Sequence, residues 1–442
     1  MKFFKQYLAT LRGDTITAFQ YFQVIRFISN VLLSVFLVKS TLTVTEIGFF
    51  EVLIFISQVF TMFWLTGFTQ AFISRFPAES PEQQLNLIRM CTGIIFLLGL
   101  IFSGILLLVQ GGIAELVPQF ANLPRLDLLG VLIILNTPTI MIEHILLVKV
   151  QAKTLEQYAH VSFGLYLSAM ALMLYFSPSV TNLLMVLIIW AAAKLLYLFI
   201  LMEWNIVFKW GKERVQAFVG YSIPLIIAAL LGVSMDYVDQ ILVMFYFGPE
   251  EFPVFRYGAR ELPFALLLLS ALSNAMIPVL VKEGTAGTQL RTRTTKLMHW
   301  LFPPAFLLMF ISPHLFVMVY DENFAASASI FNIYLLILIS RVLLPQSYNF
   351  ALQQSRVIMF SSITELSVNL LLSLWWVEIW GIYGLAMATV IAFLIQKIIL
   401  VVYNLKVNNI RPGQYIDLKW YLIYSFFLTL AFFMNFKTTL PG

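Results

Sequence analysis

Residues 358–403 read IMFSSITELSVNLLLSLWWVEIWGIYGLAMATVIAFLIQKIILVVY, and the only charges among them are Glu365, Glu378 and Lys397. Two apolar runs, 358–377 and 381–403, flank a short connection at Gly381. A helix needs roughly 20 mostly apolar residues to cross a hydrocarbon layer about 30 Å thick, so each run has the length of a membrane span. The same pattern fills the chain, with further runs near 15–38, 48–72, 90–109, 126–148, 158–176, 180–202, 217–247, 254–281, 299–320 and 325–350. A shorter apolar segment at 420–436 adds a possible thirteenth helix.

Composition agrees. Of 442 residues 60% are hydrophobic and 11% charged, against about 25% charged in an ordinary soluble domain. No aqueous fold of this length hides so much apolar surface. The net charge of +5 is scattered through short loops and forms no basic domain or tail, which argues against a nucleic-acid partner. A single cysteine, Cys91, excludes an internal disulfide, and His144, His160, His299 and His314 lack the spacings of zinc ligands. Neither a metal nor a cofactor is expected. Near the N-terminus Gln20, Gln23 and Arg26 interrupt the apolar run and no small-residue cleavage site follows, so the first helix is expected to remain in the mature protein.

Cationic loops stay on the cytoplasmic side of a membrane. With the N-terminus inside, the inner loops collect Lys2, Lys5, Arg12, Arg75, Arg89, Lys149, Lys153, Lys209, Lys212, Arg214, Lys282, Arg291, Arg293 and Lys296, among others, whereas the outer side keeps Lys39, Arg125, Arg256 and, if the last segment crosses, Lys437. The chain also repeats itself: TEIGFF at 45–50 aligns with EEFPVF at 250–255, and QQL at 83–85 with TQL at 288–290, both displaced by 205 residues. Internal repeats are common in transporter folds and place the substrate site between repeats. The expected architecture is all-α and polytopic, with twelve core helices in two six-helix lobes (1–202 and 217–403), a linker at 203–216 and a tail at 404–442.

The stretch YSIPLIIAALLGVSMDYVDQILVMFYFGPEEFPVFRYGARELPF at 221–264 resembles the start of the second lobe in the polysaccharide flippases, the O-antigen and exopolysaccharide translocases of the multidrug/oligosaccharidyl-lipid/polysaccharide exporter superfamily. Ser222-Ile223-Pro224, Asp239, Gly248-Pro249-Glu250 and Phe255 carry the likeness, while Pro253 stands where that family usually has glycine. Residues 368–389 resemble the connection between its eleventh and twelfth helices through Gly381, Gly384, Ala386, Ala388 and Thr389, with Leu385 replacing a small residue. The resemblance implies a bacterial cytoplasmic-membrane protein that moves a polyprenyl-(pyro)phosphate-linked oligosaccharide by alternating access. Its implied surroundings are membrane lipids, glycosyltransferases and a polysaccharide polymerase.

No Walker-type loop, Ser/His/Asp arrangement or paired aspartates occur, so no enzyme is expected. What remains is polar chemistry at membrane depth, where ionisable groups are expensive and mark pathways or buried pairs. Gln23, Arg26 and Asn30 share one face of the first span. Asp236, Asp239 and Gln240 cluster on the seventh, Arg256 and Arg260 lie one turn apart on the eighth, Arg341 is mid-span on the tenth, and Glu365 shares a face with Ser362 and Asn369. Arginine suits a phosphate because its rigid fork binds bidentately and stays charged when desolvated. The resemblance implies that Arg26 and Arg260 line a cavity between lobes, with Arg256 and Arg341 as further substrate contacts and Gln23 and Asn30 for the glycan. Asp236, Asp239 and Glu365 are coupling or structural carboxylates. Asp239 and Arg260 at similar depth also suit a structural ion pair, Lys194 and Lys397 suit snorkelling to the interface, and Glu143 with His144 suits either a proton relay or an interhelical hydrogen bond. Trp64, Trp300, Trp375, Trp376, Trp380 and Trp420 read as interfacial belts. The rival function is a cation-coupled multidrug exporter of the same superfamily. A membrane glycosyltransferase would need a large extramembrane loop, which this sequence lacks.

Overall fold

The computed structural model describes residues 15–116, 118, 123–203, 211–282 and 287–436, and among them every regular element is a helix. Lys2, Lys5, Arg12, Lys209 and Lys437 of the charge pattern lie outside these residues, as does the side chain of Asp236. Ten helical segments among the described residues have the length and apolarity to cross a membrane. The chain is an all-α, multi-pass membrane protein, and the additional C-terminal helix is present. It forms two compact units, residues 1–234 with 248–250, and residues 235–247 with 251–442.

The first unit holds α1 (Thr15–Lys39), α2 (Val44–Arg75), α3 (Pro81–Leu116), α4 (Leu126–Thr139), α5 (Met141–Val148), α6 (Ala152–Phe176), α7 (Val180–Leu201) and the larger part of α8 (Lys212–Tyr246). Local chemistry sets the helix starts. The Thr43 hydroxyl accepts from the Glu46 amide at 3.2 Å while the Glu46 carboxylate accepts from the Thr43 amide at 2.8 Å, a reciprocal cap that satisfies two orphan donors. Ser179 caps α7 by a single bond, its hydroxyl accepting from the Asn182 amide at 3.2 Å. Pro138, which has no N–H to give, ends α4 and leaves α5 as a separate piece of the same span. Within the unit α1 lies on α6, and α4 is held between α3 and α7. The 248–250 turn joins this unit because Thr45 donates to Glu250 at 2.8 Å and because Gly48 has no side chain: the Pro249 carbonyl lies 1.7 Å from where a Cβ would stand.

In the second unit the end of α8 is followed by α9 (Glu251–Gly258), α10 (Pro263–Lys282), α11 (Gly287–Val319), α12 (Ala325–Leu335), α13 (Ile337–Arg341), α14 (Pro345–Ala351), α15 (Ser355–Lys406) and α16 (Leu418–Phe436). The α15 helix is two spans folded on each other at Gly381, whose φ of 56° and ψ of −136° suit only glycine. Here α12 packs against α9, α11 and α15, α10 against α14, and α16 runs along α11. Arg291 anchors α16 by donating to Asp417 at 2.8 Å. That hydrogen bond holds the Asp417 carboxyl below its ordinary range. His299 and Tyr424 share a further hydrogen bond of 2.7 Å.

Several sequence expectations about the spans need correction. The eighth span, read as continuous over 254–281, is broken: residues 259–262 are non-helical between α9 and α10. The tenth, read over 325–350, comes in three pieces with breaks at Leu336 and at 342–344. The cause is legible in the chain, since Pro263 and Pro345 cannot continue an incoming helix and disfavour helical backbone in the preceding residue. Non-helical backbone at membrane depth is tolerated only where protein buries it or a water-filled cavity receives it. Helices also run beyond the apolar runs, as at α3 and α8, because polar flanks sustain a helix that apolarity alone does not mark. Trp64 belongs to the core rather than an aromatic belt: it is 2% exposed, stacks on Phe102 at 5.5 Å and donates to the Phe60 carbonyl.

Candidate functional site

Each unit carries its own polar centre at membrane depth. In the first, α1 brings Gln23 and Arg26 to one face, one turn apart, and the Gln23 amide oxygen accepts from Arg26. Arg26 also donates to Glu143 of α5 at 3.3 Å, with the arginine 41% exposed and the carboxylate 8%. Asn30, expected on the same face, is exposed. Lys194 of α7 donates to Asn136 of α4 at 2.7 Å and lies 3.6 Å over the Trp190 ring. It is within electrostatic reach of both Glu143 and Arg26. The snorkelling expectation for Lys194 is therefore corrected, because its ammonium is spent on an amide oxygen inside the unit. Glu143 and His144 share no hydrogen bond among the described residues, and the His144 Nδ1 meets the Ile140 carbonyl of the preceding turn at 2.8 Å. Arg26 and Lys194 thus gather near Glu143, and a second buried carboxylate, Glu51 of α2, belongs to the same unit.

In the second unit the two broken spans are tied together. Arg341, at the end of α13, donates through Nε and Nη2 to both oxygens of Glu261 at 2.9 and 2.6 Å, a bidentate pair across the two breaks. Its guanidinium also lies 4.1 Å over Phe393. Lys397, 5% exposed, donates to Gln346 of α14 at 2.8 Å, with Arg341, Glu365 and Glu261 in electrostatic reach. It too is held inward rather than snorkelling. Arginine and lysine here are matched by Glu261 and Glu365, so this cluster is balanced. Arg260 sits in the non-helical stretch with its guanidinium 5.4 Å over Tyr257, and Arg256 donates to Gln240 at 2.9 Å.

Asp239 forms a third arrangement, in the second unit. It is 3% exposed and accepts from Tyr334 at 3.0 Å, from Asn369 at 3.3 Å and from the Thr389 hydroxyl. The expected pairing with Arg260 is replaced by these neutral donors among the described residues. Two further buried oxygens close by on α15, Asn369 Oδ1 and Ser373 Oγ, have no hydrogen-bond partner. A carboxylate beside a surplus of acceptor oxygens is suited to a proton or a hard monovalent cation. Among the described residues no three His, Cys, Asp or Glu side chains gather as metal ligands. Glu365 is buried one turn before Asn369 on the same helix.

The structure thus joins Arg26 with Gln23, and gives Arg341, Arg256 and Asp239 partners that had not been assigned to them. Glu261, Gln346, Asn136, Tyr334 and Thr389 were missed as site partners. The Glu261-Leu262-Pro263 and Leu343-Leu344-Pro345 sequences were the available signals, each marking a helix break beside a charged residue.

Several solved structures share this fold. A lipid II flippase, MurJ, in an inward closed conformation matches with a TM-score of 0.70 and 15% identity, over 96% of this chain and 93% of that one. A eukaryotic MATE transporter matches at 0.58 and 12% identity, over 98% of this chain and 99% of that one. A transporter of the MOP superfamily from Pyrococcus furiosus matches at 0.56 and 13%, over 89% and 96%. At these identities the likeness establishes the fold. No curated protein matches the sequence. The model of a family described as polysaccharide biosynthesis protein matches residues 41–329, which is more than half of the chain. With its helical architecture and charged membrane-depth centres, the chain belongs to that polysaccharide biosynthesis family.

Proposed function

We propose that this chain is a flippase, not an enzyme, that carries a polyprenyl-(pyro)phosphate-linked oligosaccharide across the bacterial cytoplasmic membrane for surface polysaccharide assembly. The observation that carries this reading is the Arg26 centre of the first unit, a partly exposed arginine at membrane depth beside Gln23 and Glu143, with Lys194 in electrostatic reach. An anionic phosphate head group suits the guanidinium fork of Arg26, and Gln23 and the exposed Asn30 offer amide groups to sugar hydroxyls. The polyprenyl chain stays in lipid while the head group crosses, and alternating access exposes the centre to each side in turn. Glycosyltransferases supply the substrate and a polymerase consumes it.

The rival reading, a cation-coupled drug exporter, needs membrane carboxylates free for a cationic drug. Here Glu143 is engaged by Arg26, Glu261 by Arg341, and Asp239 by three hydrogen-bond donors. Those engagements favour an anionic substrate, and the Asp239 arrangement, with the unpartnered Asn369 Oδ1 and Ser373 Oγ on α15, serves coupling to H⁺ or Na⁺.

Cells lacking the chain are expected to accumulate lipid-linked sugar on the cytoplasmic leaflet and to lose surface glycan. Unchanged glycan with no such accumulation refutes the reading. The orientation proposed, with the N-terminus in the cytoplasm, has its own check in a background without Cys91. An impermeant maleimide added outside is expected to label Glu322→Cys and to spare Arg293→Cys; the reverse pattern inverts the topology.

A further inference from the structure

A second cationic site lies where α2 ends and α3 and α8 begin, all within the first unit. Arg75 closes α2, and its guanidinium lies 4.7 Å over the ring of Tyr221, whose hydroxyl is 3.1 Å from Ser74 Oγ. The ring therefore holds the arginine in place without using its N–H groups, and Arg75 has no carboxylate partner among the described residues. Arg214 of α8 approaches Glu79 at 3.9 Å, too long for a strong pair. Gln83, with its amide turned to satisfy both neighbours, donates to Glu79 at 2.8 Å and accepts from Arg214 at 2.9 Å. These groups rim a small open pocket of about 40 Å³ whose apolar floor includes Leu87, Met90 and Phe218. Those three are 7, 5 and 1% exposed.

We propose that this cavity binds the phosphate of a lipid, with the phosphate on the Arg75–Arg214 rim and the first carbons of the chain on the apolar floor. Three observations on the rim and floor lead there. Two cations against one carboxylate leave a single positive charge, which matches one phosphodiester or a singly ionised phosphomonoester. The free donors of Arg75 form the planar fork that suits phosphate oxygens. The floor gives a free phosphate nothing to touch, whereas a lipid chain gains contact with it. The site also lies at helix ends beside charged residues, the level at which a bilayer presents its head groups. It shares no residue with the Arg26 centre.

Native mass spectrometry of the purified full-length chain tests this, with Arg26→Ala present in every sample so that the first-unit centre does not contribute. Farnesyl phosphate and phosphatidylglycerol are expected to bind, and phosphatidylcholine and inorganic phosphate to bind at least about tenfold more weakly. Arg75→Gln is expected to weaken both phosphate lipids about tenfold. Glu79→Gln is expected to tighten them, because it removes the competing anion while keeping the amide shape. If Arg75→Gln fails to insert, Glu79→Gln decides alone. Inorganic phosphate binding as tightly as farnesyl phosphate overturns the lipid assignment, and so does phosphatidylcholine binding as tightly as phosphatidylglycerol. Lipid binding unchanged by Arg75→Gln, or not tightened by Glu79→Gln, overturns the site. The assay reads no transport, so a negative result here leaves the flippase reading standing.

Discussion

Arg26→Ala is expected to reduce glycan export roughly ten- to a hundredfold while the protein stays inserted and abundant. A hydrogen bond to a charged group contributes about 1.5–3 kcal/mol, which is that range as a ratio of affinities. Stability survives because of what stands beside the pair. An uncompensated buried carboxylate would cost about 3–5 kcal/mol, but Lys194 is within electrostatic reach of Glu143 and is expected to offset part of that cost. The variant thus loses the guanidinium that holds the head group while Glu143 keeps a cation within reach. Arg26→Lys is expected to restore part of the export, since it returns the charge without the bidentate fork. Glu143→Gln separates a binding role from a structural one. If Arg26 and Glu143 are only a structural pair, both substitutions damage the protein alike. If Arg26 holds the substrate, Glu143→Gln keeps export, because it removes the anion that competes for Arg26. Surface glycan and membrane-fraction immunoblots measured together give the answer, and full export by Arg26→Ala at normal abundance sinks the assignment.

Asp239→Asn is expected to stop export as completely as deletion of the chain, with little loss of folded protein. The amide keeps the size of the carboxyl and still accepts from Tyr334 and Thr389, but it carries neither proton nor cation. Asp239→Ala is a different perturbation. It leaves three donors without an acceptor at a buried position and is expected to lower stability by about 1–3 kcal/mol. If the site couples transport to Na⁺, sodium chloride raises the unfolding midpoint of the wild type above that in choline chloride, and Asp239→Asn removes the difference. If it couples to a proton, export depends on pH and not on sodium. Export by Asp239→Asn at the wild-type rate shows that Asp239 serves structure alone. The unpartnered Asn369 Oδ1 and Ser373 Oγ make the first two outcomes the ones to expect.

The sequence carried the spans, their approximate ends and the identity of nearly every charged residue buried in them. Arg26 with Gln23 was readable because a helix brings positions three apart onto one face. Arg341 with Glu261 was not, since the partners are 80 residues apart on two spans and meet only where both helices break. The breaks themselves were announced by Pro263 and Pro345, but long apolar runs outweighed single prolines in the reading. Asp239 shows the same limit from the other side. Its charge pointed to Arg260 at a similar depth, yet packing delivered Tyr334, Asn369 and Thr389 from two other helices.

Immersion in a membrane is settled by composition, because the free energy of moving a helix into lipid is close to a sum over its own residues. Helix starts and stops are likewise settled within a few positions of Thr43, Ser179 and Gly381. Which charge meets which depends on helix rotation, on breaks and on side-chain reach across 100 or more residues of chain, as for Arg26 and Glu143, 117 positions apart. Those are properties of packed helices, so only the tertiary structure decided that Arg26 meets Glu143 in the first unit and that Arg341 meets Glu261 in the second.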